Sequence, residues 1–162
     1  MVKRDLTVLI VEDSPDDTQL MLREIKRGGY AVFFERVETK ADMQAALSRQ
    51  SWDIILSDYS MPSFSAMAAL ETLKASGLDI PFLVISGTVG EETAVAALKG
   101  GAHDFLTKDK LARLIPAIER ELRDAEARRS RREAESRYQL LVERLPMIVY
   151  VSPVQNINHT TY

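Results

Sequence analysis

The chain contains no cysteine. That excludes a disulfide framework and a zinc–thiolate centre, and it fits a reducing compartment such as the cytoplasm. It also lacks an apolar run approaching the ~20 residues that a bilayer-spanning helix needs. The charged start, Met1-Val-Lys-Arg-Asp, is followed by Leu6–Val11, too short for a signal-peptide h-region or a span. Net charge is small, −3 at pH 7, so no global case exists for nucleic acid binding. What is present is ordinary: 46% apolar and 28% charged residues in 162, enough for one full domain and a fragment of another.

The first two-thirds of the chain alternate strand-like and helix-like patterns. Leu6–Val11, Ala31–Val37, Asp53–Ser57, Phe82–Ser86 and Asp104–Thr107 read as strands. Several are apolar without alternation, as expected of strands covered on both faces. Ser14-Pro15-Asp16-Asp17 reads as an N-cap, a Pro at the first helical position and an acid at the third, with Gly28-Gly29 as the stop. Thr39–Gln50, Ser65–Ser76 and Glu91–Lys99 read as further helices, and a fifth opens near Leu111. Five βα units predict an α/β fold: a flavodoxin-like, doubly wound parallel sheet of order 2-1-3-4-5.

In such a sheet the switch point lies between the first and third strands, which end in Glu12-Asp13 and in Asp58. A fourth strand ends in Ser86 and a fifth in Lys108. Carboxylate oxygens from neighbouring strand ends suit a hard divalent cation such as Mg²⁺. Without one, the clustered acids raise each other's pKa. With one, Asp58 stays ionised and can act as a nucleophile toward phosphorus, while Lys108 and the Ser86 hydroxyl hold phosphoryl oxygens.

The motifs Val11-Glu12-Asp13, Leu56-Ser-Asp58-Tyr-Ser-Met61-Pro62, Val84-Ile-Ser86-Gly and Gly101-Ala-His-Asp-Phe105-Leu-Thr-Lys108 resemble those of a response-regulator receiver domain of two-component signalling. The resemblance covers about residues 5–120. It implies Asp58 as phosphoacceptor and a histidine kinase or phosphotransfer protein as donor. It implies Mg²⁺ at Glu12, Asp13, Asp58 and the backbone carbonyl of Ser60. Lys108 and Ser86 become phosphoryl contacts, and Ser86 with Phe105 the switch pair. Such a module catalyses only its own phosphorylation and dephosphorylation. Two positions depart from the pattern: Asp109 stands where a Pro, often cis, usually follows the lysine, and Ser86 replaces the commoner Thr. The first predicts a trans bond and a differently shaped loop after Lys108.

After Ile118 the character changes. Glu119 to Arg137 is almost all Arg, Glu, Asp, Ala and Ser. Ile115, Ile118, Leu122 and Ala125 keep a 3-4 spacing, and apolar residues resume at Tyr138, Leu141, Val142 and Leu145, as in a coiled coil with a charged middle. The expected organisation is a receiver domain over 1–120, a signalling linker helix over 121–145 and the truncated start of a PAS-like domain over 146–162, leading to a PAS-containing output. A homodimer through the linker is a further expectation. Neither nucleic acid nor membrane is an expected direct partner, and the expected location is cytoplasmic. The alternative function is a Mg²⁺-dependent aspartyl-phosphate phosphohydrolase. That chemistry wants a second acid two residues after the nucleophile, where this chain has Ser60. A flavodoxin-type cofactor site is weaker still, because Glu-Asp-Ser-Pro-Asp-Asp occupies the place of a phosphate loop.

Overall fold

The computed structural model describes residues 2–88 and 90–145. The PAS-like segment expected over 146–162 lies outside the described residues. Five strands, β1 (Arg4–Val11), β2 (Tyr30–Val37), β3 (Ile54–Asp58), β4 (Phe82–Ser86) and β5 (Asp104–Thr107), alternate with α1 (Pro15–Arg27), α2 (Lys40–Arg49), α3 (Ala66–Ser76), α4 (Glu91–Lys99) and α5 (Leu114–Arg144). All pairings are parallel, in the order β2-β1-β3-β4-β5. The expected flavodoxin-like topology is therefore observed. One compact unit ends at Arg128 and a second begins at Arg129.

The strands are apolar throughout because both faces are covered. Leu6, Val8 and Ile10 of β1 join Met21, Leu22 and Ile25 of α1 and Leu114 and Ile118 of α5 in one cluster. Leu9 and Val11, one residue out of phase, face Met43 and Leu47 of α2 and Leu70 and Leu73 of α3 in the other. Helices thus change sides between β1 and β3, and that reversal opens a crevice at the strand C-termini. Truncating a fully buried anchor such as Ile118 to Ala is expected to cost about 2–5 kcal/mol.

Helix starts follow local chemistry. The hydroxyl of Ser14 accepts from the Asp17 amide at 3.2 Å, Thr39 from Asp42 at 3.1 Å and Ser65 from Ala68 at 3.2 Å. Gly77 ends α3 in the left-handed region, φ +73°.

The fifth helix departs from expectation. A 3₁₀ segment spans Lys108–Arg113, kinked within at Lys110 (φ −122°, ψ 42°), and α5 starts only at Leu114. No cis peptide occurs among the described residues, in keeping with Asp109 after Lys108. The 3-4 spacing that suggested a coiled-coil seam is, through Ala125, the face with which α5 covers the sheet. Ile118 and Ala125 are buried, and Ile115 and Leu122 pack on the same cluster. Farther along, Tyr138, Leu140, Leu141, Val142 and Leu145 are exposed.

Candidate functional site

Strand register sets the site. Val11 pairs with Ser57, so Glu12-Asp13 and Asp58 leave their strands at one level. Asp58 pairs with Ile85, the residue before Ser86, and Ser86 pairs with Thr107, the residue before Lys108. The four expected strand-end groups therefore share one edge of the sheet. Glu12 and Asp58 are buried, Asp13 is exposed, and carboxylate oxygens of all three lie within 4.8 Å of one another.

Lys108 is the cation at this cluster. Its Nζ lies 3.2 Å from Glu12 Oε2 and 3.2 Å from Asp58 Oδ1. It also donates to Asp17 Oδ2 at 2.5 Å. Burial works against the Lys108 ammonium, but the hydrogen bond to Asp17 and the charges of Glu12 and Asp58 outweigh it and raise its pKa. Burial is also the main force on Glu12, pushing its carboxyl up to about 7. The Ser14 amide, donating to Oε1 at 3.0 Å, pulls it down. Asp13 and Asp58 push it up, and Lys108 pulls it down. An acid held so high is first of all one taken out of water, and the neighbouring carboxylates of Asp13 and Asp58 add to that. An all-oxygen donor set at this spacing fits a hard cation, so the cluster is a group that could hold a metal.

The remaining expected residues sit nearby in different states. Ser86 is buried, and its hydroxyl donates to the Thr88 carbonyl at 3.0 Å and accepts from the Thr88 amide at 3.2 Å. It is committed to its own loop. Half-buried Phe105 meets the Tyr59 ring edge-on, with centroids 6.4 Å apart and planes at 70°. Ser60 is exposed in the loop after β3.

Residues 8–119 match the family of the response regulator receiver domain. The chain belongs to that family. Among curated proteins, the response regulator protein PilR of Pseudomonas aeruginosa is 32% identical over 142 residues, covering 86% of this chain and 31% of PilR. The cell cycle transcriptional regulator CtrA of Caulobacter vibrioides is 28% identical over 120 residues, covering 71% of this chain and 51% of CtrA. Among solved structures, the signal receiver domain of a putative Luxo repressor protein from Vibrio parahaemolyticus superposes with a TM-score of 0.67. It is 26% identical and covers 76% of this chain and 95% of that one. The chain spans about a quarter to a half of the length of the curated relatives it matches.

A response regulator receiver domain fits a phosphoacceptor role. Three participants escaped sequence reasoning. Asp17 was expected only to cap α1; its position one turn into the helix that follows Glu12-Asp13 was the available signal. Arg36 donates to the Glu12 carbonyl at 3.1 Å from β2, and Thr88 engages Ser86; neither contact has a local signature. His103 is half-buried and structural: its Nδ1 accepts from the Phe82 amide at 3.0 Å. No helix among the described residues is long and apolar enough to cross a membrane.

Proposed function

We propose that Asp58 accepts a phosphoryl group from the phosphohistidine of a histidine kinase or phosphotransfer protein. The observation that supports this most is the reach of Lys108 from the end of β5 to both Glu12 and Asp58 at 3.2 Å. One Asp58 carboxylate oxygen attacks phosphorus. The new O–P bond replaces the P–N bond, and the electron pair leaves with the imidazole nitrogen. Lys108 draws one phosphoryl oxygen, and the Ser86 hydroxyl, released from Thr88, donates to another. Glu12, Asp13, Asp58 and the Ser60 carbonyl would hold Mg²⁺, which would neutralise phosphoryl charge when bound. Water later cleaves the O–P bond, releases inorganic phosphate and restores the carboxylate.

Movement of Ser86 toward the phosphoryl group frees the β4–α4 loop, and Phe105 turns inward beside Tyr59. The receiver module over 1–120 then passes its state through a linker helix to a PAS-containing output in the whole protein, in a cytoplasmic setting. Incubation with acetyl phosphate and Mg²⁺ should give one hydroxylamine-sensitive phosphoryl group per chain in the wild type and none in Asp58→Asn. Stoichiometric label surviving in Asp58→Asn would overturn the assignment. Sustained turnover of small phosphate esters would instead favour a phosphohydrolase.

A further inference from the structure

Lys108 divides one ammonium among three acids. It carries three N–H donors. Its contacts to Asp17 at 2.5 Å and Glu12 at 3.2 Å are hydrogen bonds, and Asp58 lies at 3.2 Å as an ion-pair contact. The shortest of the three goes to the acid that stands outside the Glu12–Asp13–Asp58 cluster. We propose that Asp17 is a positioning residue that competes with the phosphoryl group for the Lys108 ammonium and so holds back phosphorylation of Asp58. This rests on the phosphoacceptor reading given above.

Three features make Asp17 an effective competitor. First, it is a fixed anchor. Its amide is tied to the Ser14 hydroxyl at 3.2 Å, Pro15 sets the first helical position, and α1 is pinned by buried Met21, Leu22 and Ile25. The flexible partner is the lysine stem. Secondly, a cation held by Glu12, Asp13 and Asp58 would offset the charge of Glu12 and Asp58 but would leave the Asp17 charge in place. Asp17 is then the acid still drawing Lys108 away from the acceptor. Thirdly, the pair is only partly screened: the side chains of Lys108 and Asp17 are 22% and 33% exposed. Phosphorylation must draw the ammonium from an acid outside the reacting group, and the strength of that pair sets part of the barrier.

Asp17→Asn keeps the shape and removes the charge. Its rate of labelling by acetyl phosphate is expected to rise about two- to fivefold, the range of a partly exposed ion pair. The neighbouring exposed Asp16→Asn is expected to leave the rate unchanged. In a Lys108→Ala background, Asp17→Asn is expected to have no effect, because nothing remains to be released. An Asp17→Asn rate at or below wild type overturns the proposal, as does an acceleration that persists without Lys108. A second readout needs no phosphorylation. In the metal-free protein the Lys108 ¹⁵Nζ resonance should shift, and its ammonium protons exchange faster, in Asp17→Asn but not in Asp16→Asn. An unmoved resonance overturns the proposal on its own. Absence of label in the wild type would sink the phosphoacceptor reading and this proposal together; label in the wild type without a gain in Asp17→Asn would sink this proposal alone.

Discussion

The two ends of the sheet handle charge in opposite ways. At the N-terminal end Asp53, Asp79 and Asp104 each have donors of their own. Asp53 accepts from the Thr7 amide and hydroxyl, both at 2.8 Å. Asp104 accepts from Arg120 at 2.6 Å and from the Phe105 amide. Asp79 takes a two-pronged contact from Arg128 at 3.1 and 3.2 Å. At the C-terminal end Glu12, Asp17 and Asp58 share the ammonium of Lys108, with Asp13 beside them. The same residue types are structural where they are matched and chemically poised where they are crowded. Proximity to a strand end does not distinguish them; the ratio of acids to donors does.

The sharpest break in that contrast is Asp58→Asn. It should abolish acyl-phosphate formation completely, read by acid-urea gels or hydroxylamine-sensitive label. In metal-free buffer it should nevertheless leave the fold as stable as wild type or more so, read by urea unfolding, because it relieves crowding. A loss of stability would mean that Asp58 is matched like the acids at the other end.

Next in size is the effect of pH. Glu12 has a folded pKa near 7, above its unfolded value of 4.5. The folded state therefore holds this proton more tightly, and the contribution is fully present below pH 4.5 and lost as pH rises through 7. Metal-free protein should lose on the order of 1–3 kcal/mol of unfolding free energy across that window. Glu12→Gln should flatten the curve, and added Mg²⁺ should restore stability at pH 7.5. An unchanged slope in Glu12→Gln would place the titrating group elsewhere.

At the matched end the sign reverses. Asp53→Ala should destabilise by about 1–2 kcal/mol, because it strips a partner from the Thr7 amide and hydroxyl, with the labelling rate unchanged. The smallest expected effect is that of Arg128→Ala. Its pair with Asp79 is partly exposed and should contribute about 0.2–1 kcal/mol, detectable as earlier amide exchange in α5 around Ala125.

Much of this was legible in the sequence because the fold repeats simple signals. Buried runs ending in acids, Ser and Pro at helix starts and Gly at helix ends fixed the βα rhythm, and strand order then put Glu12, Asp58, Ser86 and Lys108 on one edge. The missed elements depend on distances that periodicity does not encode. Ile115, Ile118, Leu122 and Ala125 have the same spacing whether they face a partner helix or their own sheet, so the seam was misplaced. Asp17 looks like a helix-capping acid until the Lys108 side chain is seen lying against it. Thr88 and Arg36 act through backbone carbonyls, which leave no trace in residue identity.

Four carboxylates and one ammonium at a single edge carry, counted as ionised, as much formal charge as the whole 162-residue chain, −3. Everything else in the molecule cancels. The crevice therefore concentrates negative charge, and its field is softened beyond a screening length of about 8 Å at physiological salt. Such a field invites small cations and repels anionic phosphodonors. It favours an order of arrival in which the ion comes first and opens the door to the second visitor.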